Sequence, residues 1–156
     1  MLELDIIKNA IHSATYGSPA GAMCIFVPIT DSIGAKVYQT EEERDFAYNW
    51  QNKASDVNLG PEVHGTFEFV AEESLYNDEM DEAISAGSIL YGYLTEIVEI
   101  AGNIHEDVDE FEDEHDEAIT DLVRALRKIG FNFIDSHIHN LGFKDGRLIC
   151  IDFGTC

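Results

Sequence analysis

The chain has 156 residues, 45% of them apolar, and carries 31 Asp and Glu against 9 Lys and Arg, a formal net charge of −22. That length fits one domain, or one domain with a small lobe, and the acidity argues against sequence-wide binding of nucleic acid and against anionic membrane surfaces. It favours solubility, a basic protein partner or mimicry of nucleic acid. No apolar run reaches the ~18–20 residues that span a bilayer, and the opening MLELDIIKNAIHSA lacks the shape of a signal peptide. Cys24, Cys150 and Cys156 are odd in number, lack metal-ligand spacing and read as reduced thiols, so the expected location is cytoplasmic.

In chain order, Ile6, Ile7, Ala10 and Ile11 put one apolar side on a short helix over residues 3–13. Residues 16–21, Tyr-Gly-Ser-Pro-Ala-Gly, read as a turn. Two strands, 23–30 and 33–39, flank Asp31-Ser32 and suggest a hairpin. Thr40 then reads as the N-cap of a helix, with Glu43 at the capping-box position and Phe46, Ala47, Trp50 and Ala54 sharing a face. A strand is expected at 63–70, an acidic loop with a helical turn at 71–87, and one strand over 89–100.

Nine of the twelve residues from Glu106 to Glu117 are acidic, yet Val108, Phe111, His115, Ile119, Leu122, Leu126 and Ile129 keep a spacing of three or four. This predicts one helix over 106–129, with acids at its start, Arg124, Arg127 and Lys128 at its end, and Gly130 as its stop. The simplest reading of the acids is a solvated helix face; a metal or a basic partner is the alternative. Two short strands, 141–143 and 147–151, follow around the turn Lys144-Asp145-Gly146.

The chemistry concentrates in residues 133–140, Phe-Ile-Asp-Ser-His-Ile-His-Asn, and 151–154, Ile-Asp-Phe-Gly. Asp135 and Asn140 lie five residues apart, and Asp152 ends the hairpin that follows. A phosphotransferase needs such a set: Asp135 to accept the proton of an attacking hydroxyl, Asn140 and Asp152 to offer hard oxygens to Mg2+ beside ATP phosphates. His137 and His139, alternating as on an extended segment, offer a transition-metal alternative with Asp135 or Asp152. Trp50 and Cys150 read as core.

The D-x-x-x-x-N spacing and the D-F-G in correct order resemble the catalytic loop and metal-binding strand of the protein-kinase-like superfamily. Residues 130–154 look like the minimal kinases of bacteria and phages and like antibiotic phosphotransferases, and the small acidic chain is compatible with such a source. The resemblance runs in order over residues 14–154. It implies an α+β, protein-kinase-like two-lobed fold, with a small antiparallel sheet and packed helix over 1–100 and a reduced helical C-terminal lobe over 101–156. In the same terms the nucleotide cleft lies between the lobes, with residues 96–100 as the connection.

The resemblance also implies residue roles. Lys36, in a segment similar to the third strand, would hold phosphates, and Glu43 on the next helix would pair with it, Glu42 being the alternative. Thr95 would be the gatekeeper, and the backbone of Glu96 and Val98 would bind adenine. Gly17 and Gly21 are what remains of the nucleotide-covering loop. Phe133-Ile134 replaces the His-Arg that normally precedes the catalytic Asp, and two residues follow Gly154, so no activation segment is present in the sequence. Two functions are therefore expected of such a chain. One is an ATP- and Mg2+-dependent phosphotransferase acting on a hydroxyl of a protein or small molecule. The other is a catalytically degenerate kinase-like module whose acidic surface regulates or inhibits a partner, in the manner of a nucleic-acid mimic.

Overall fold

Apolar residues three and four apart wind the first helix, α1 (Leu4–Ala14), and bury Ile7 and Ile11. Ile6 was expected on the same side but is exposed, because neighbouring helical residues point about 100° apart. The computed structural model describes residues 2–14, 20–21, 24–77, 82–104, 107–133 and 136–154. The protein is α+β, built on a small antiparallel sheet with several helices. It divides into two units, residues 1–48, 63–97 and 154–156 in the first and 49–62 and 98–153 in the second.

In the first unit, β1 (Ala20–Gly21) pairs with β2 (Cys24–Pro28), which forms the expected hairpin with β3 (Ile33–Tyr38). Ala20 and Gly21 are thus strand residues, not part of a turn, and 15–19 lie outside the described residues. At the β2–β3 connection the Thr30 hydroxyl accepts from the Ser32 and Ile33 amides at 3.3 and 3.0 Å. The helix α2 (Glu41–Ser55) begins where expected, with the Thr40 hydroxyl accepting from the Glu43 amide at 3.2 Å. Its residues to Tyr48 belong to the first unit and those from Asn49 to the second.

Next comes β4 (Val63–Val70). Residues 71–87 hold a two-stranded hairpin, β5 (Leu75–Asn77) with β6 (Glu82–Ile84), where a helical turn was expected. Then β7 (Ile89–Glu96) inserts between β3 and β4, giving the order β1-β2-β3-β7-β4. Alternation sends Ala35, Val37 and Leu94 into one core with Ile25, Val27, Leu90, Ile7 and Ile11. The other face packs Tyr38 and Tyr93 against Ala47 and Tyr48 of α2, with the Tyr38 and Tyr93 rings stacked at 6.2 Å.

An ion pair from Lys8 of α1 to Glu72 and a hydrogen bond from the Glu72 amide to the His12 ring (3.3 Å) join α1 to the segment after β4. The hydrogen bond from Lys8, then its charge, holds the Glu72 carboxyl below its ordinary value of 4.5. A lowered folded-state pKa contributes stability that is complete above the unfolded value and fades as pH falls through the folded one. Lys8→Met should therefore lower the melting midpoint slightly at pH 7, the difference from wild type vanishing in acid below that lowered pKa. A pH series of melting curves checks it, and a difference that persists when Glu72 is fully protonated contradicts it.

The strand expected over 89–100 splits. It leaves the first sheet after Glu96, and β8 (Glu99–Ile100) pairs instead with β9 (Leu141–Lys144) in the second unit. There β9 forms a hairpin with β10 (Arg147–Cys150) through Asp145 (φ 52°) and Gly146 (φ 76°). Two successive left-handed residues match the strand twist, which explains the Asp-Gly pair. A short α3 (Ala101–Ile104) precedes α4 (Val108–Lys128). The long helix starts at Val108, not Glu106, because the Asp107 carboxylate caps it, accepting from the Glu110 amide at 3.0 Å. It stops as expected at Gly130 (φ +98°), whose amide donates to the Arg127 carbonyl.

Phe111, Leu122 and Leu126 of α4 are buried with Phe131, Phe133, Ile138, Leu141, Leu148 and Phe153, and Trp50 and Ala54 of α2 join them. The acids at 109, 110, 112–114, 116 and 117 are exposed, matching the solvated-face reading. Among the described residues no helix is long and apolar enough to cross a membrane. Like charges four apart on a helix destabilise it by roughly 0.2–0.5 kcal/mol per pair. Changing Asp113, Glu114, Asp116 and Glu117 to their amides should therefore raise the melting midpoint modestly at low salt, and less at high salt. A marked loss of stability would show that the run holds a specific ligand.

Candidate functional site

The residues singled out in the sequence fall into two groups, one within each unit. In the first, Lys36 is opposed by Phe26 of β2 and Tyr93 of β7, so these three share a sheet face. Thr95, two residues beyond Tyr93, lies on the same face. Lys36 is half-buried, and its ammonium stands 5.8 Å from the Tyr93 ring centre. Such a ring attracts a cation by its quadrupole.

Thr95 is buried, and its hydroxyl donates to the Glu96 carbonyl at 3.2 Å. Opposite Thr95 stands Gly34, crossed by the Phe26 ring: a Cβ there would fall 2.6 Å from that ring and 3.4 Å from Ile97. The face therefore carries a cation, a buried hydroxyl and an apolar ledge made of Phe26 and Ile97. The chain passes between the units after Ile97, so Glu96 belongs to the first and Val98 to the second.

Of the two acids considered for Lys36, Glu43 is half-buried and Glu42 exposed. The buried stripe of α2 is Arg44, Ala47, Gln51 and Ala54; Phe46, expected there, is exposed. The reason is hydrogen bonding from afar. Within the first unit Arg44 donates through Nη1 to the Phe67 and Gly92 carbonyls at 3.0 and 3.3 Å. Its Nε meets Asp45 at 2.6 Å, and Nη2 lies 3.7 Å from Glu41. Within the second unit Gln51 donates to the Pro61 carbonyl at 3.1 Å. Sequence reasoning missed both polar residues, although their spacing with Ala47 and Ala54 is that of one helical stripe.

In the second unit a single-turn 3-10 helix, Ile138–Asn140, precedes β9. The Asn140 amide donates to the His137 carbonyl at 2.8 Å, and the Asn140 carbonyl accepts from the Ile151 amide at 3.0 Å. That main-chain bond ties the segment bearing Asn140 to the residue preceding Asp152. Both side chains are half-buried. The Asp152 carbonyl accepts from the Cys150 thiol at 3.2 Å. Phe153 is wholly buried, its ring 5.2 Å from that of Phe131, and it leaves no room for a Cβ on Gly60, which would fall 2.9 Å away. Asp152 is thus held on one side by the buried Cys150 and on the other by a fixed ring. Two neutral or anionic oxygen donors on tied segments suit a hard divalent cation that keeps waters or phosphate oxygens as its other ligands.

His137 and His139 do not alternate on an extended segment. His137 caps the short helix, its Nδ1 accepting from the His139 amide at 3.3 Å, and the two rings stack at 5.1 Å. Among the described residues no three His, Cys, Asp or Glu side chains converge on a metal position. Gly21 sits in β1 opposite Cys24, while Asp135 and Gly17 lie outside the described residues. No family model matches the chain, and no curated protein matches its sequence.

Proposed function

We propose that the chain is a minimal phosphotransferase of protein-kinase-like, two-lobed type, which takes the γ-phosphoryl group of ATP to a hydroxyl of a protein or small molecule. The observation that carries this reading is the main-chain bond from Ile151 to Asn140, which joins the two oxygen-bearing segments the chemistry requires. Support also comes from the first unit, where Lys36 and Thr95 share a sheet face and α2 follows the Lys36 strand.

In this reading Lys36 orients phosphate oxygens, and Glu43, the half-buried member of the acid pair, holds Lys36. Asn140 and Asp152 hold Mg2+, which when bound neutralises charge on the phosphates. Asp135 receives the proton of the acceptor hydroxyl as its oxygen forms the new P–O bond and the bond to the leaving ADP breaks. Thr95, Glu96 and Val98 bind the base, and the segment with Gly17 and Gly21 covers the phosphates.

The exposed acids of α4 support a second reading, a degenerate module that engages a basic protein partner. Incubation with γ-labelled ATP and Mg2+, alone and with cell extract, separates the two. The phosphotransferase reading expects label on the protein or an extract component, lost in Asp135→Asn. Equal labelling by wild type and Asp135→Asn, or none by either, contradicts it.

A further inference from the structure

In a chain with 31 acids and only 9 Lys and Arg, two of those cations stand on one rung of the sheet in the second unit. Lys144 of β9 is the register partner of Arg147 of β10. Directly opposed residues share a face, with Cβ atoms roughly 4.5–5.5 Å apart, and like charges so placed destabilise the strand pair. Acids are abundant enough to relieve this, yet Arg147 is exposed and forms no ion pair among the described residues. Folding alone gives no reason to hold two positive charges together here.

The pair lines a cleft of about 200 Å³ in the second unit, together with Asn58, Asp145 and Ile149. Ile149 lies two residues along β10 from Arg147, so it shares that face. It is 1% exposed and gives the cleft an apolar floor. Asn58 comes from the turn after α2, where its amide donates to the Ser55 carbonyl at 3.0 Å. The next residue is tied to β10, the Leu59 carbonyl accepting from the Cys150 amide at 3.0 Å. Among the described residues the non-glycine positions with positive φ are Asn58 (60°) and Asp145 (52°), and both line this cleft. Backbone held in that region by its surroundings clusters at ligand sites.

We propose that this cleft binds a small oxyanion of the phosphate class, a phosphate monoester or the free ion. The Arg147 fork can offer paired N–H donors to two oxygens, Lys144 adds a compact charge, and the Asn58 carboxamide can donate as well. The volume is below the ~300–1,000 Å³ of sites for drug-sized ligands. It suits a phosphate group with at most a small organic part over Ile149. The Asp145 carboxylate at the edge opposes an anion and weakens the attraction. The proposal is independent of the phosphotransferase reading, since it uses neither nucleotide nor Mg2+.

Titration with phenyl phosphate and, separately, with inorganic phosphate tests it, followed by the amide NMR shifts of the whole chain without nucleotide or Mg2+. Saturable shifts should centre on residues 56–60 and 142–149. Arg147→Gln and Lys144→Gln should each weaken binding about tenfold or more, as loss of a charge-assisted donor does. Asp145→Asn should tighten binding, and it keeps the turn because Asn-Gly suits the same left-handed pair. Arg124→Gln removes an exposed cation of α4 and should leave the affinity unchanged. Tighter binding of phenyl phosphate identifies a monoester as the ligand class, and equal affinity identifies the free ion; either supports the site. Absence of saturable shifts in those two segments overturns the proposal. So does equal weakening by Arg124→Gln and Arg147→Gln, which would show only the general charge of the chain. Should a cleft variant lacking a cation fail to fold, the other two decide. Tightening by Asp145→Asn with no change in Arg124→Gln supports the site, and no tightening contradicts it.

Discussion

Asp152→Ala should weaken Mg2+-dependent nucleotide binding and abolish phosphoryl transfer, whereas Asp135→Asn should leave binding nearly intact and cut transfer on the order of 10²-fold or more. The two aspartates differ because they meet different partners in the proposed reaction. In that proposal Asp152 would help to hold the metal, and Asp135 would take the proton of the acceptor hydroxyl. Asn140→Ala should behave as a milder Asp152→Ala, since it removes one neutral donor from the same cation. In a degenerate module there is no transfer to lose, and partner binding survives all three changes. Transfer by Asp135→Asn at the wild-type rate would remove the catalytic assignment even if nucleotide binding held.

Phe153→Ala should cost about 3–5 kcal/mol of stability, the range for truncating a fully buried aromatic ring. The ring is wholly inaccessible, packs on Phe131 and fills the space above Gly60. Phe153→Leu, which keeps most of the volume, should cost much less. Chemical denaturation checks both. A loss below about 1 kcal/mol for the alanine variant, far under that range, would mean that the Asp-Phe-Gly segment is not anchored and that Asp152 is not held in place by it.

What could be read from the sequence followed from local rules. The Thr40 cap, the Asp145-Gly146 turn and the stop at Gly130 each depend on a few adjacent residues, and each is found where expected. The apolar spacing along α4 located the buried face through a run of acids. What could not be read depended on distant partners. Residues 89–100 have one continuous strand pattern, but the chain changes sheets at 97–98 because β9, more than forty residues later, offers a new edge to Glu99 and Ile100. Residues 71–87 read as a loop with a helical turn, whereas Leu75–Asn77 pairs with Glu82–Ile84.

The helix α2 gives the clearest case. Hydrophobicity favoured Phe46 for its inner face, yet Arg44 and Gln51 are inside because remote carbonyls receive them. At the candidate site, the residue types and order of Asn140 and Asp152 were legible from spacing alone. The main-chain bond that joins their segments is the next rung of the β9–β10 ladder, so it follows from the hairpin around Lys144-Asp145-Gly146.

Nucleotide binding through a divalent cation is tested most directly by a calorimetric titration with ATP, with and without Mg2+. Wild type should bind saturably and more tightly with Mg2+, and Asp152→Ala should no longer respond to the metal. Absence of binding under both conditions, or binding that Mg2+ and Asp152→Ala leave unchanged, would contradict it.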